Sequence, residues 1–529
     1  MTAVAAPSIA SVRSVNPATL DVVWEAPVAR DGDLGDAVAA AAAAQEQWRR
    51  TTAAVRRRLF ERLVETLLDR ADEVASSVTA ETGKPLVESY SAELFVAAES
   101  ARWIGRNAER VTAVERLRTP RLVAFKRGWV MNEPLGVVAV ISPWNFPVGV
   151  PFTQVAAVVG TGNGAVLKPS ELTPRCGEWV AQLFREAGFP PDLVQVVHGA
   201  AQTGHALVEA RGVAKVVFTG SAAAGRSVAA AAAPLLRPVT LELGGKDPLL
   251  VFRDCDLERT LAGALWGSFT NCGQVCSGAE RIYVERPLYE RFTEALAERA
   301  RALRLGRGDD PDVDLGPVIT EAQRERVEEL VGDAVATGAS VRTGGARPDL
   351  GLPGWFYEPT VLAGERIEGR VAEEELFGPV VTVEPFDTEA DAVRLANASA
   401  YGLGASVWTR SAPRARRVAA GLDAGSVWTN DLAYSYYVAG APWGGRKASG
   451  YGRTHGLHGL RALVAPKYVD ADSGRVPVPW WYPYRAGGLE GLRGGLELLY
   501  RKGLAARGRG AAARRRGLGH LTRRYLGRD

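Results

Sequence analysis

The chain has 529 residues, 47% of them hydrophobic and 23% charged, enough for two or three domains with their own cores and too balanced for a disordered or fibrous protein. Its formal charge of +4 is uneven, because residues 471–529 hold 13 Lys/Arg against 4 Asp/Glu and the remainder holds 51 against 56. Four cysteines without C-x-x-C or Cys/His spacing argue against a disulfide framework and a metal site, and no apolar run approaches the ~18 residues of a membrane span.

Residues 1–10 lack the basic and apolar regions of a signal peptide, so a cytoplasmic location, where a reactive thiol stays reduced, is expected. The first hundred residues read as helix. Residues 36–49 are Ala-rich, and 55–68 place Leu59, Phe60, Leu63 and Leu67 near helical spacing. From residue 120 short β-branched runs take over, at 136–141, 164–168, 194–197 and 215–218, with helix-like segments between them. That alternation predicts an α/β fold with a parallel, doubly wound sheet that binds ligands at the carboxyl ends of its strands.

Three of those ends carry chemistry-bearing loops. After 136–141 comes Ile141-Ser-Pro-Trp-Asn-Phe-Pro147, where Asn145 is either an oxyanion donor or the capping residue of a Pro-bounded turn. After 164–168 comes Lys168-Pro-Ser-Glu171, whose charges either grip ribose hydroxyls or are solvated. After 215–218 comes Phe218-Thr-Gly-Ser-Ala-Ala-Ala-Gly-Arg226, which either cradles a phosphate at a helix N-terminus or is a turn that needs glycine.

A second α/β block begins near 247, with helices predicted over 288–303 and 321–337 and strands over 380–385 and 405–409. Around it lie Leu241-Glu242-Leu243-Gly244-Gly245-Lys246 and Asn271-Cys272-Gly273-Gln274-Val275-Cys276-Ser277-Gly278. A thiol can hold an acyl group as a thioester, and a carboxylate can activate the water that releases it. The adjacent glycines allow backbone to approach closely. Cys272 reads as packing. Beyond 470, residues 476–484 are Pro- and aromatic-rich and extended, 489–500 are helix-like, and the remaining end is Arg-rich.

Taken together, Pro143-Trp-Asn-Phe-Pro147, Lys168-Pro-Ser-Glu171, Phe218-Thr-Gly-Ser221, Glu242-Leu-Gly-Gly-Lys246, Gly273-Gln-Val-Cys276, Glu375-Leu-Phe-Gly-Pro379 and Pro442-Trp-Gly-Gly-Arg-Lys-Ala-Ser-Gly450 resemble the aldehyde dehydrogenase superfamily in order and spacing over about 15–470. The resemblance implies a Rossmann-type NAD(P)-binding domain (1–112 and 135–246), a catalytic domain (247–449), a β oligomerisation element (113–134 and 450–470) and, outside the family pattern, an extension (471–529). It implies oxidation of aldehydes to carboxylic acids, with Cys276 as a nucleophile whose thiolate the site favours. Asn145 and the Cys276 N–H would then bind the oxyanion, and Glu242 would be the deacylating base.

For the cofactor it implies Ile141, Ser142, Pro143, Trp144, Lys168, Ser170, Glu171, Gly220, Ser221, Gly225, Leu243, Gly244, Glu375 and Phe377. Glu171 would repel a 2′-phosphate, so NAD is expected, with room for NADP. For the aldehyde it implies Val150, Thr153, Val275, Ser277 and Trp443. The aromatic run 431–437 suits broad aliphatic or aromatic specificity. The sequence 450–456 is reminiscent of succinate-semialdehyde enzymes, which would need an Arg clamp from Arg281 or Arg446. A homodimer or homotetramer is expected, with no nucleic-acid partner, no transmembrane segment and no metal.

Glu242 argues against a CoA-acylating relative. From another class, an inactive scaffold that binds nucleic acid or membrane through its tail is the competing reading. For the tail itself, an ordered 476–500 is expected first, with Trp480, Trp481, Tyr482 and Tyr484 buried against a groove of the same or a neighbouring subunit that would restrict substrate entry where it adjoins the tunnel mouth. A basic amphipathic membrane-surface helix from Leu489 to Leu504 and nucleic-acid binding by 507–528 are the other readings, with disorder or a surface helix expected for 505–529.

Overall fold

The computed structural model describes residues 11–120 and 123–472 and, beyond them, 474, 478, 480–482, 484, 486–502, 509–513 and 515, without the side chains of 31, 434 and 486. Two compact units result, one from residues up to 111 with 134–464, the other from 112–133 with 465 onward.

In the first unit, helix Ala53–Asp69 is capped by Thr52, whose hydroxyl accepts the Val55 N–H, and it buries Phe60, Leu63 and Leu67 as their spacing predicts. Helix Asp31–Trp48 starts earlier than the Ala-rich pattern suggests, because the Asp33 carboxylate accepts the Arg30 N–H. Strands Val137–Ile141 and Gly164–Lys168 are buried at every position, as parallel strands covered on both faces must be.

The first sheet runs Gly450–Tyr451, Val239–Glu242, Val213–Thr219, Val137–Ile141, Gly164–Lys168, Val194–Val196. All pairs are parallel except the first, where Gly450 faces Glu242. The chain begins this sheet at Val137–Ile141, steps outward twice, then returns to Val213–Thr219 on the opposite side. The reversal opens a crevice at the carboxyl ends, between the loop at 142–147 and the turn at Gly220 and Ser221. Residues 450–463 belong to this unit, although they were expected in the oligomerisation element.

A second sheet of seven strands centres on Asp247–Val251 and Ala279–Glu285, with Val380–Phe386 and Gly404–Trp408 on either side. Cys272 is buried in the apolar cluster beneath it, beside Phe269 and Leu432, which fits a packing role.

The second unit contains an antiparallel sheet of Glu115–Leu117, Lys126–Pro134 and Val464–Asp472, and helix Ala486–Tyr500. Within this chain Trp480 is half-buried, and the other tail aromatics are exposed. Trp481, Tyr482 and Tyr484 are 60%, 78% and 66% exposed, and the two tyrosine rings meet tilted at 4.5 Å. Half of 476–485 and most of 507–528 lie outside the described residues, and the extended and nucleic-acid readings fall largely on those stretches.

Candidate active site

The crevice continues into one cavity of about 340 Å³ that draws on both sheets. Pro143, Trp144 and Asn145 reach it from the first strand end, Gly220 and Ser221 from the second turn, and Cys276 with Val275 and Ser277 from the loop before Ala279–Glu285.

Cys276 is half-buried and ends an unusual turn: Asn271, Cys272 and Gly273 are all left-handed, at φ 50°, 56° and 70°. Two of these are non-glycine residues, so the turn is strained and something must hold it. Glu88 does so, accepting the Asn271 N–H at 3.0 Å and the Thr270 hydroxyl at 3.0 Å. Asn271 Nδ2 then donates to the carbonyls of Asn145 and Gln274, and Asn145 Nδ2 donates to the Gln274 carbonyl at 3.0 Å. The close approach expected of the glycines is visible at Gly245, where a Cβ would stand 2.2 Å from the Cys276 carbonyl oxygen.

The loop that carries Asn145 is gripped from the same short segment as Glu88. Lys84, fully buried, donates to the Asn145 carbonyl at 2.6 Å and to Glu93 at 2.8 Å, and lies 4.3 Å from the Phe146 ring centre. Glu93 accepts the Val148 and Gly149 N–H groups, at the N-terminus of helix Gly149–Gly160. A π-helical turn at Ser89–Leu94 lies between Glu88 and Phe95. Replacing Lys84 by Met is expected to lower kcat by roughly 10²-fold with KM little changed, since small misplacement of a positioned group costs about that much. Breaking a buried pair is also destabilising, by about 3–5 kcal/mol. The Lys84→Met/Glu93→Gln double variant should therefore regain thermal stability without regaining rate, in steady-state kinetics and melting.

Electrostatically the site runs against the expected thiolate. Burial pushes the Cys276 thiol up, and Glu375, Asp247 and Glu242 add to this, with only the Ser277 N–H opposing. Glu242 ends strand Val239–Glu242, is 4% exposed, and has the Thr454 hydroxyl beside its carboxylate. Burial raises its pKa well above the carboxylate range, opposed by the charge of Arg453. It does not line the cavity, which takes Leu243 and Gly244 instead. Its Oε1 sits against the glycine turn after Trp443, 2.9 Å from where a Gly444 Cβ would stand.

Most expected cofactor residues gather at one end. Pro143, Trp144, Gly220, Ser221, Leu243, Gly244, Glu375 and Phe377 all line the cavity. Ser221 caps helix Ala222–Ala232, leaving the N-terminus facing the crevice, and a Cβ on Gly225 would strike Leu243 at 2.4 Å. Trp144 and Phe377 meet edge-on at 5.4 Å. Glu375 accepts the Gly245 N–H, and its own carboxyl is pushed up to about 8, chiefly by burial.

Ile141, Ser142, Lys168, Ser170 and Glu171 sit at or just beyond the ends of the adjoining strands rather than in the lining. Lys168 donates to the Gly199 carbonyl at 2.6 Å and lies 3.6 Å from the half-exposed Glu171 carboxylate. A groove bounded by a helix N-terminus, close-packed glycines and the half-exposed Glu171 carboxylate fits a dinucleotide.

Of the expected aldehyde contacts, Val150, Val275, Ser277 and Trp443 line the cavity, whereas Thr153 turns away and donates to Ser100 at 3.1 Å. Sequence reading missed Trp266, Tyr436 and Tyr437, which also line it, though the aromatic run 431–437 pointed to the last two. Tyr436 stands edge-on to Trp443 at 4.9 Å. It also missed Gln323 and Arg326. These hold the loop at Glu375 by donating to the carbonyls of Phe377 and Glu375.

Neither Arg expected as an anion clamp lines the cavity. Arg281 is buried and spends its guanidinium on the carbonyls of Lys246, Leu395 and Ala396, and Arg446 pairs with Asp423 at 2.9 Å. Arg326 is the one Lys or Arg lining the cavity among the described residues.

The chain is similar to known proteins over most of its length. Residues 4–469 match the model of the aldehyde dehydrogenase family. The chain is 37% identical over 470 residues to a betaine aldehyde dehydrogenase of Sinorhizobium fredii, covering 89% of this chain and 95% of the relative. It is 37% identical over 460 residues to the mitochondrial succinate-semialdehyde dehydrogenase of Arabidopsis thaliana, covering 87% and 86%. Among solved structures, an NAD+ complex of a Bacillus cereus aldehyde dehydrogenase superposes with a TM-score of 0.83 at 35% identity, covering 88% and 93%. A betaine aldehyde dehydrogenase from Staphylococcus aureus with NAD+ superposes at 0.85 and 35%, covering 89% and 96%.

Proposed function

The chain belongs to the aldehyde dehydrogenase family, and from that premise we propose that it oxidises apolar aliphatic and aromatic aldehydes to carboxylic acids with NAD+. The supporting observation is that the Cys276 thiol and the Asn145 amide open onto one cavity lined by Trp266, Tyr436, Tyr437 and Trp443, with Arg326 beside the Glu375 loop as its one Lys or Arg among the described residues.

The dinucleotide would lie over Gly220, Ser221 and the helix N-terminus, with its nicotinamide end near Trp144, Glu375 and Phe377. When bound, NAD+ supplies the hydride acceptor. Cys276 Sγ, once deprotonated, attacks the aldehyde carbon, and the carbonyl π pair moves onto oxygen. Asn145 Nδ2, released from the Gln274 carbonyl, donates to that oxyanion together with the Cys276 N–H. Loss of hydride from the same carbon leaves a thioester. Glu242, rotated out of its pocket beside Gly444, then takes a proton from water. The resulting hydroxide adds to the thioester, and the carboxylic acid leaves as Cys276 recovers its sulfur electrons. Glu242 also separates this chemistry from transfer to a thiol cosubstrate.

The half-exposed Glu171, beside Lys168, supports NAD+ over NADP+, since a 2′-phosphate would meet its charge. The exposed edge strand Val464–Asp472 supports strand exchange in a homodimer or homotetramer, and a reactive thiol supports a reducing cytoplasm.

A second reading, an aldehyde bearing a quaternary ammonium, is favoured by the ring faces of Tyr436 and Trp443. NADH absorbance with hexanal, benzaldehyde, betaine aldehyde and succinate semialdehyde separates these readings. Hexanal and benzaldehyde are expected to exceed succinate semialdehyde in kcat/KM by at least about tenfold, the scale of one missing charge-assisted contact. Preference for the dianion-forming substrate would overturn the proposal, and preference for betaine aldehyde would install the second reading.

A further inference from the structure

The family match ends at residue 469, and nothing in the oxidation chemistry uses the residues beyond it. Helix Ala486–Tyr500 carries glycine at 487, 488, 491, 494 and 495, five of its fifteen residues, each of which weakens a helix relative to alanine. One flank is packed: a Cβ on Gly510 would stand 2.6 Å from the Leu498 nitrogen and 2.8 Å from the Gly494 carbonyl, so the segment at 509–513 lies close across it. The other flank is bare. Leu489, Leu492, Leu496 and Tyr500 recur at i, i+3, i+7 and i+11, and Leu489, Leu496 and Tyr500 are 56%, 62% and 67% exposed. Just ahead of the helix, the rings of Trp481 and Tyr484 are mostly in solvent. A glycine-rich helix with an open leucine stripe gains from a surface that covers that stripe.

Charge selects the surface. Within the helix Arg493 balances one of Glu490 and Glu497, but residues 501–529 contain ten Lys/Arg and one acid, Asp529. A polyanion such as nucleic acid would answer the arginines and leave the leucines, Trp481 and Tyr484 unused. A second copy of the chain would cover the leucines, but its mildly acidic body offers no dense anion to match the arginines. An anionic lipid surface answers both: acyl chains take the leucine stripe, the headgroup boundary takes the aromatic rings, and lipid phosphates take the arginines. No helix among the described residues is long and apolar enough to cross a bilayer, so the contact is with one leaflet.

We propose that helix Ala486–Tyr500, with Trp481 and Tyr484 before it and the basic stretch after it, seats this enzyme on anionic membrane surfaces. The test is co-sedimentation of the full chain with vesicles of phosphatidylcholine alone and of phosphatidylcholine with phosphatidylglycerol. Binding is expected only to the mixed vesicles, falling steeply with added salt. The Leu489→Glu/Leu496→Glu variant changes two exposed positions, so it should fold and keep its activity on a water-soluble aldehyde while its apparent vesicle affinity drops at least tenfold. Equal affinity of variant and parent for the mixed vesicles would overturn the proposal. So would failure of the full chain to sediment with either vesicle. If the variant instead changes oligomeric state in gel filtration and the parent ignores vesicles, the stripe belongs to a second copy. If the parent binds duplex DNA more tightly than vesicles, the arginines serve nucleic acid.

Discussion

Replacing Cys276 by alanine is expected to abolish aldehyde-dependent NADH formation, by at least about 10⁴-fold in kcat, while the melting temperature holds or rises. The loss is large because the nucleophile is the one group whose bond to substrate defines every later step. Stability should not suffer, since the side chain is half-buried and its thiol lies near three carboxyl groups. The position also predicts a pH signature. A thiol raised by burial exposes its reactive form only as pH climbs, so alkylation by iodoacetamide without cofactor should accelerate about tenfold per pH unit across the neutral range, with no plateau below about pH 9. A plateau near pH 7 would mean that another arrangement of Glu242, Glu375 and Asp247 prevails in solution and lowers the thiol. Mass spectrometry of the labelled peptide distinguishes Cys276 from Cys272, which is buried and should stay unlabelled.

How much of this was legible depends on how local each signal is. Val137–Ile141 and Gly164–Lys168 are solid β-branched runs, and the loops after them carry Pro, Gly and Asn in fixed order, so strand, loop and candidate chemistry are read from a dozen residues at a time. The grip on those loops is not local. Lys84 meets Asn145 at a separation of 61 residues, Glu93 meets Gly149 at 56 and Glu88 meets Asn271 at 183. In sequence these three charges lie on an ordinary polar helix pattern, and nothing marks them as buried until the two loops close over them.

Arg281 failed as a substrate clamp for the related reason that its partners, the carbonyls at Leu395 and Ala396, lie over a hundred residues away. Gly450–Tyr451 is too short for periodicity to register, yet its pairing with Leu241 and Glu242 is what places the carboxylate next to the Trp443–Gly444 turn. Thr153 was expected in the substrate lining from the family resemblance alone, and its hydroxyl instead donates to Ser100, away from the cavity.

Glu242→Gln should leave the first half of the reaction and stop the second. Mixing the variant with NAD+ and aldehyde is expected to release about one NADH per active site in a burst, with turnover afterwards slower by about 10²–10⁴-fold, the usual contribution of a positioned base. The sign of the pH dependence comes from burial. A carboxyl whose pKa is raised keeps its proton through the lower range and becomes a base only as pH rises toward the shifted value, so wild-type kcat should climb from pH 6 upward and that limb should be absent from the variant.

The burst also decides where the Cys276 proton goes. If Glu242 accepts it before turning to water, the Gln variant shows a slow burst as well as slow turnover. If the proton leaves by another route, the burst keeps its wild-type rate. The position of Glu242 favours the second outcome, because its carboxylate rests behind Leu243 and Gly244, against Gly444, and must move to reach the cavity at all. A residue that has to rotate into place can wait until the thioester has formed, and then its high pKa becomes useful.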